Sequence, residues 1–195
     1  MINANKDKLL SFFQGSSQFV VPFFQRAYVW DEENWETMWD HVSSVLESCA
    51  GNSSKEHFIG TIITKQRPAN VIGESKYDLI DGQQRLTTIA LFLAAIARST
   101  THEMPNLKKQ IETDLRFQDA YGKAYSRIVP SDYEQKYFEE VLDSGNSSGD
   151  HKISRAYKFF LNKVKGFSND GLSTLSVGKR QVKYMAKSGK VCSVD

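Results

Sequence analysis

Apolar and polar positions fall into phased runs along the 195-residue chain, and the phases predict its elements. Lys6 to Phe13 reads as a short helix with Leu9, Leu10 and Phe13 on one face. The run QFVVPFF reads as a short strand ending at or near Pro22, because proline brings no N–H to a ladder and is confined to edges and strand ends. Asp31, followed by Glu32 and Glu33, has the signature of a helix start. Trp35, Met38, Trp39, Val42 and Leu46 then form one amphipathic stripe that faces a core.

HFIGTIITKQ predicts a strand in which Gly60 marks a bulge or a close backbone approach, and KYDLI predicts a second strand after the turn RPANVIGES. Leu86 to Arg98 is apolar on most sides, as a helix central to its domain would be. Beyond Thr101 the reading is helices only. Ser131 and Glu134 have the spacing of a capping box ahead of Tyr137, Phe138, Val141 and Leu142. DSGNSSGDH reads as a flexible connection, and Ile153, Ala156, Tyr157, Phe160, Leu161 and Val164 phase a last helix. From Ser168 the chain carries Lys179, Arg180, Lys183, Lys187 and Lys190 with few apolar residues in register. The order predicts an α/β (α+β) fold: a small mixed-sheet core over 1–100, a helical extension over 101–167, and a poorly ordered or truncated tail over 168–195.

Composition narrows this little. Lys and Arg number 25 against 23 Asp and Glu, so the formal charge of +2 neither demands nor excludes a polyanionic partner. Cys49 and Cys192 are the only cysteines, and no Cys/His group has metal-ligand spacing, which argues against a disulfide framework or a structural zinc and suits a reducing cytoplasm. The first residues lack the pattern of a signal peptide. The longest apolar run, LTTIALFLAAIA, falls short of the ~20 residues that span a bilayer, so no membrane partner is expected.

Three stretches carry candidate chemistry. In LIDGQQRLTT, Gly82 lies where a strand meets a helix, and free N–H groups at a helix N-terminus attract anions. Arg85 can add a bidentate phosphate contact. Asp81 can hold a metal, cap the helix or orient Arg85, while Gln83 and Gln84 offer donors and acceptors. The plain alternative is a helix cap and a tight turn with solvated Gln and Arg side chains; a Walker A loop is absent. In VPFFQRAYVW, Gln25 and Arg26 offer a second amide and guanidinium, and Tyr28 and Trp30 can stack on a base or anchor the loop by packing. In HFIGT, His57 can be a general base or a structural histidine, and Gly60 can let a ligand approach. His41, His102 and His151 are scattered.

VPFFQRAYVW, HFIGTI and LIDGQQRLTT, in this order, resemble the N-terminal domain of GmrSD-type restriction enzymes. The resemblance continues through RIVPSDYEQKYFEEVL and ISRAYKFF, from about Leu9 to Val164. It implies a core related to the ParB and sulfiredoxin fold, and a nucleoside-triphosphate-binding and hydrolysing module, with Mg2+, that couples recognition of modified phage DNA to cleavage in phage defence. The family motif's residues fall on Asp81, Gly82, Gln83, Gln84 and Arg85, and its Gln-Arg pair falls on Gln25 and Arg26; as a catalytic set, Asp81 would hold Mg2+ or water, Gln83 or Gln84 would position water, and Arg85 would stabilise phosphate charge. Gly82 and Arg85 also match a related phosphate-binding motif of ParB-like proteins. DNA cutting in that family belongs to a His-Asn-His nuclease domain or subunit, for which this chain has neither length nor histidines, so the chain is not expected to cut DNA by itself. A homo-oligomer is compatible with this picture. The rival readings are a non-enzymatic ParB-like DNA-binding module and a truncated, inactive remnant.

Overall fold

The computed structural model describes residues 2–8, 12–50, 58, 60–68, 75–100, 105–119, 121–145, 147, 149–165 and 185–191. Five helices and eight strands are found among them. In chain order they are β1 (Ile2–Lys8), β2 (Ser17–Val20), α1 (Glu32–Ala50), β3 (Thr61–Gln66), β4 (Ser75–Asp81), α2 (Gln83–Ser99), α3 (Pro105–Leu115), β5 (Arg116–Gln118), β6 (Ala124–Ser126), β7 (Ile128–Val129), α4 (Asp132–Ser144), α5 (Lys152–Lys165) and β8 (Met185–Val191). Six strands form one mixed sheet in the order β1-β8-β3-β4-β2-β7, and β5 with β6 makes a separate antiparallel hairpin. This is the expected α+β class.

β2 lies between β4 and β7 and runs parallel to both. Pro22 therefore stands just past the end of an interior strand, where its missing N–H costs the ladder nothing. β3 runs antiparallel to β4, with a register shift between Ile63 and Thr64, three residues beyond the Gly60 expected to mark an irregularity. Ile62 and Leu79 point into the core with no exposure.

The centre of the molecule is α2, buried from Leu86 to Ala97 as a helix apolar on most sides must be. Phe92 meets Trp39 of α1 at 6.1 Å and Phe160 of α5 at 5.4 Å between ring centroids. Lys163 pairs with Glu36 at 2.5 Å and fastens α5 to α1 at the surface.

Four expectations differ from this fold. Lys6 to Lys8, expected to open a helix reaching Phe13, instead end the strand Ile2–Lys8, which finds β8 as an antiparallel partner. Helices alone do not follow Thr101: β5, β6 and β7 intervene, and β7 joins the main sheet. The sheet thus draws strands from both sides of residue 100, and one hydrophobic cluster runs from Phe12 to Val164. Met185–Val191, in the stretch expected to be loose, pairs with β1 on one side and β3 on the other.

Arg127 explains how the β5–β6 hairpin is anchored. Its side chain is buried, yet Nε donates to the Asp114 carbonyl at 2.8 Å, and Nη1 donates to the carbonyls of Ser17 at 3.1 Å and Gln14 at 3.2 Å. The guanidinium also faces the Phe117 ring at 5.4 Å. Burial lowers its pKa, and the Asp114 carboxylate works against that shift.

Candidate functional site

The parallel strands β4, β2 and β7 end on one edge, and each is followed there by a candidate segment. β4 leads through Gly82 into α2, β2 leads into residues 21–30, and β7 leads through Ser131 into α4. The carboxyl ends of parallel strands are where open α/β sheets hold ligands, since the following helices aim their N-termini there.

Gly82 is the N-cap of α2 in a left-handed conformation, with φ +90°. A Cβ there would lie 2.9 Å from Ile62 Cγ1 and 3.3 Å from the Thr61 carbonyl oxygen, so only glycine lets the turn pass so close to β3. The N-cap residue of α2, a glycine, makes no side-chain cap bond. The α2 N–H groups of Gln83, Gln84 and Arg85 are the ones such a helix start leaves without intrahelical acceptors.

The two glutamines divide their work. Gln84 uses both ends of its amide: Nε2 donates to the Ala27 carbonyl at 3.0 Å, and Oε1 accepts the N–H groups of Val29 at 2.8 Å and Trp30 at 3.3 Å. Gln83 donates from Nε2 to the Arg26 carbonyl at 3.0 Å, but its buried Oε1 has no hydrogen-bond partner among the described residues. Gln25 completes the stitching with Nε2 on the Ile80 carbonyl at 2.9 Å. The two glutamine-arginine motifs are therefore joined by three side chains.

Asp81, at the end of β4, keeps 56% of its side chain exposed and stands 3.7 Å from Arg85, whose side chain is 23% exposed. Arg85 lies against Gly60, where φ is +103° and an added Cβ would fall 1.6 Å from Nη1. In this structure the Arg85 side chain makes the close approach at Gly60. Arg26 is exposed, and its carbonyl is the acceptor for Gln83. His57 lies outside the described residues.

Tyr28 is not exposed for stacking. Its hydroxyl meets Thr88 Oγ1 at 2.6 Å and accepts Trp35 Nε1–H at 2.9 Å, while Thr88 in turn donates to the Gln84 carbonyl at 2.7 Å. That chain of donors runs from α1 through the loop into α2, each hydroxyl giving one bond and receiving one. Burial raises the Tyr28 phenol far above its ordinary range, keeping it protonated. Trp30 is half-buried and packs on the core. Phe23 and Phe24, by contrast, are the exposed aromatics of this loop, at 91% and 66%, and they meet edge to face.

Glu134 is the participant that spacing alone concealed. Ser131 is the N-cap of α4 as anticipated, but no side-chain cap bond forms there. The Ser131 hydroxyl bonds Glu134 Oε2 at 2.5 Å, and Glu134 Oε1 accepts the N–H of Tyr28. A residue read as serving its own helix instead holds the motif loop.

Together these features define an α+β domain whose candidate ligand edge lies at the uncapped start of a buried central helix, with two polar motifs fused behind it. The chain belongs to the family of the GmrSD restriction endonuclease N-terminal domain, whose family model matches residues 9–190. That makes it a module of a restriction system. The match runs into β8, beyond Val164 where the motif resemblance stops. No curated protein matches the chain. No helix among the described residues is long and apolar enough to cross a membrane.

Proposed function

We propose that the edge formed by Asp81–Arg85 with Gln25 and Arg26 binds and hydrolyses a nucleoside triphosphate, and that this state licenses a nuclease partner in defence against modified phage DNA. The observation that carries the reading is the pairing of an uncapped α2 N-terminus with a buried, unsatisfied Gln83 Oε1 beside it. The first suits an anion. The second calls for a donor, since a buried acceptor without one costs about 1–3 kcal/mol.

In this reading the α2 N–H groups and Arg85 bind and orient the phosphates, with Arg26 reaching in from the exposed loop. Gln83 accepts a hydrogen bond from a water and holds it at the terminal phosphate, while Gln84 is tied to the loop at both ends of its amide and stays out of the chemistry. Asp81 suits one carboxylate contact to Mg2+, and no group of three His, Cys, Asp or Glu among the described residues offers an all-protein cage. That is the donor set expected when phosphates and waters supply the other ligands, and the ion when bound would neutralise phosphate charge.

The DNA-cutting centre, of the His-Asn-His kind, belongs to a separate domain or subunit in this proposal. Titrating the chain with ATP and with GTP, each with Mg2+, tests the reading. Arg85→Ala is expected to abolish binding while the fold melts as before, and unchanged affinity in that variant would overturn the assignment.

A further inference from the structure

Residues 25–30 are held from two sides, and the second side is the corner between α4 and α5. Glu134, at 4% exposure, takes the Tyr28 N–H on one carboxylate oxygen and the Ser131 hydroxyl on the other. Lys152, the first residue of α5, donates from Nζ to the Val29 carbonyl at 2.7 Å in an exposed position. The positive end of a helix disfavours a lysine at its start, so an outside carbonyl is the better place for that ammonium. The corner is itself ordered: the His151 ring lies flat on Tyr137 at 4.1 Å, and its Nδ1 accepts the Ile153 N–H at 3.2 Å.

The bonds alternate along the loop. The Ala27 carbonyl and Val29 N–H go to Gln84, whereas the Tyr28 N–H and Val29 carbonyl go to Glu134 and Lys152. Consecutive peptide units thus connect α2 to the corner, and neither side can shift without moving the other.

We infer that the α4–α5 corner sets the position of the Gln25–Trp30 loop through Glu134 and Lys152, and so couples the helical half of the domain to the start of α2. Its effect on ligand affinity rests on the phosphate-site reading above. Glu134 is the fixed link because it is buried and both its oxygens are used. Lys152 is the releasable link, a single exposed bond that an event at the corner can break. Its loss moves Val29, and Gln84 and Gln83 hang on the same short segment.

The test uses the full chain with Lys152→Met and Lys152→Arg. Amide hydrogen exchange is followed over residues 26–30 and 83–86, and affinity is followed by titration with ATP and GTP plus Mg2+. The methionine variant is expected to exchange faster in both segments and to bind at least about five-fold more weakly, the lower end of ordinary coupling, with an unchanged melting temperature. The arginine variant, which keeps a donor at that reach, is expected to restore both readouts. Faster exchange confined to residues 26–30, unchanged affinity despite faster exchange in both, or an arginine variant that behaves like methionine would overturn the inference. If the unaltered chain binds neither nucleotide, the phosphate reading falls, and exchange alone decides the coupling: both segments responding supports it, one alone refutes it.

Discussion

Gln84 Oε1 accepts the backbone N–H of Val29 at 2.8 Å, joining the first turn of α2 to a loop 55 residues earlier in the chain. The same side chain also holds Ala27 and Trp30, so its removal leaves three buried or half-buried backbone groups without partners. Gln84→Ala is expected to destabilise the fold by about 3 kcal/mol, against about 1 kcal/mol for Gln83→Ala, which loses one bond and removes an already unsatisfied acceptor. Urea unfolding of both variants checks this, and equal losses would refute the division of roles.

Gly60 is where the Arg85 side chain finds room. Gly60→Ala puts a methyl group where Arg85 Nη1 now lies and strains a backbone at φ +103°. The substitution is expected to cost about 1–3 kcal/mol of stability and, under the proposed function, to weaken nucleotide binding in the direction expected for Arg85→Ala. Calorimetric titration of the folded variant measures the second effect; full affinity would show that Arg85 acts from another position.

Arg127→Met keeps an apolar stem over Phe117 but strands the carbonyls of Gln14, Ser17 and Asp114. A loss of about 3 kcal/mol or more is expected, because these acceptors lose bonds to a charged donor. A thermal melt reads it. Since Arg127 serves the end of the strands opposite Gly82, nucleotide affinity of the folded variant should hold.

His151 gives the corner a pH dependence. Burial holds its pKa below the ordinary 6.5, with Lys136 pushing the same way and Glu134 opposing. The folded state then binds fewer protons than the unfolded chain, so the contribution is present above about pH 6.5 and is lost as pH falls through the lower folded value. Protonation also removes the Nδ1 acceptor for Ile153. Melting temperatures measured from pH 7.5 to 5 should fall less steeply in His151→Gln than in the unaltered chain; parallel curves would sink this attribution.

The helices were legible because each carries its own period. The stripe of Trp35, Met38, Trp39 and Val42 needs only one helix to be recognised, and α2 announces its central place by being apolar all round. The missed strands have no such internal signal. β5 and β6 have three residues and β7 has two, too few for a period of two to show. β1 and β8, INANKDK and MAKSGKV, are too polar to show a strand pattern of their own and are defined by partners distant in sequence. The site was legible as a candidate place, in DGQQR and PFFQRAYVW, and the two segments are joined by hydrogen bonds. Its roles were not, because Gln83 and Gln84 are identical in composition and differ only in which atoms reach them. Tyr28 and Glu134 were hidden for the same reason.

The position of β8 bears on how the domain assembles. Ile2 pairs with Val191, and the first strand reaches the rest of the sheet only across that late segment. The chain must be made as far as Met185–Val191 before the first strand can dock, a long-range closure of the kind that slows folding. During synthesis residues 2–8 have no sheet partner before β8 among the described residues, and the edge of β3 that β8 takes waits unpaired. Shortening the chain before residue 185 would therefore free its opposite end and leave a bare strand edge, a known route to aggregation.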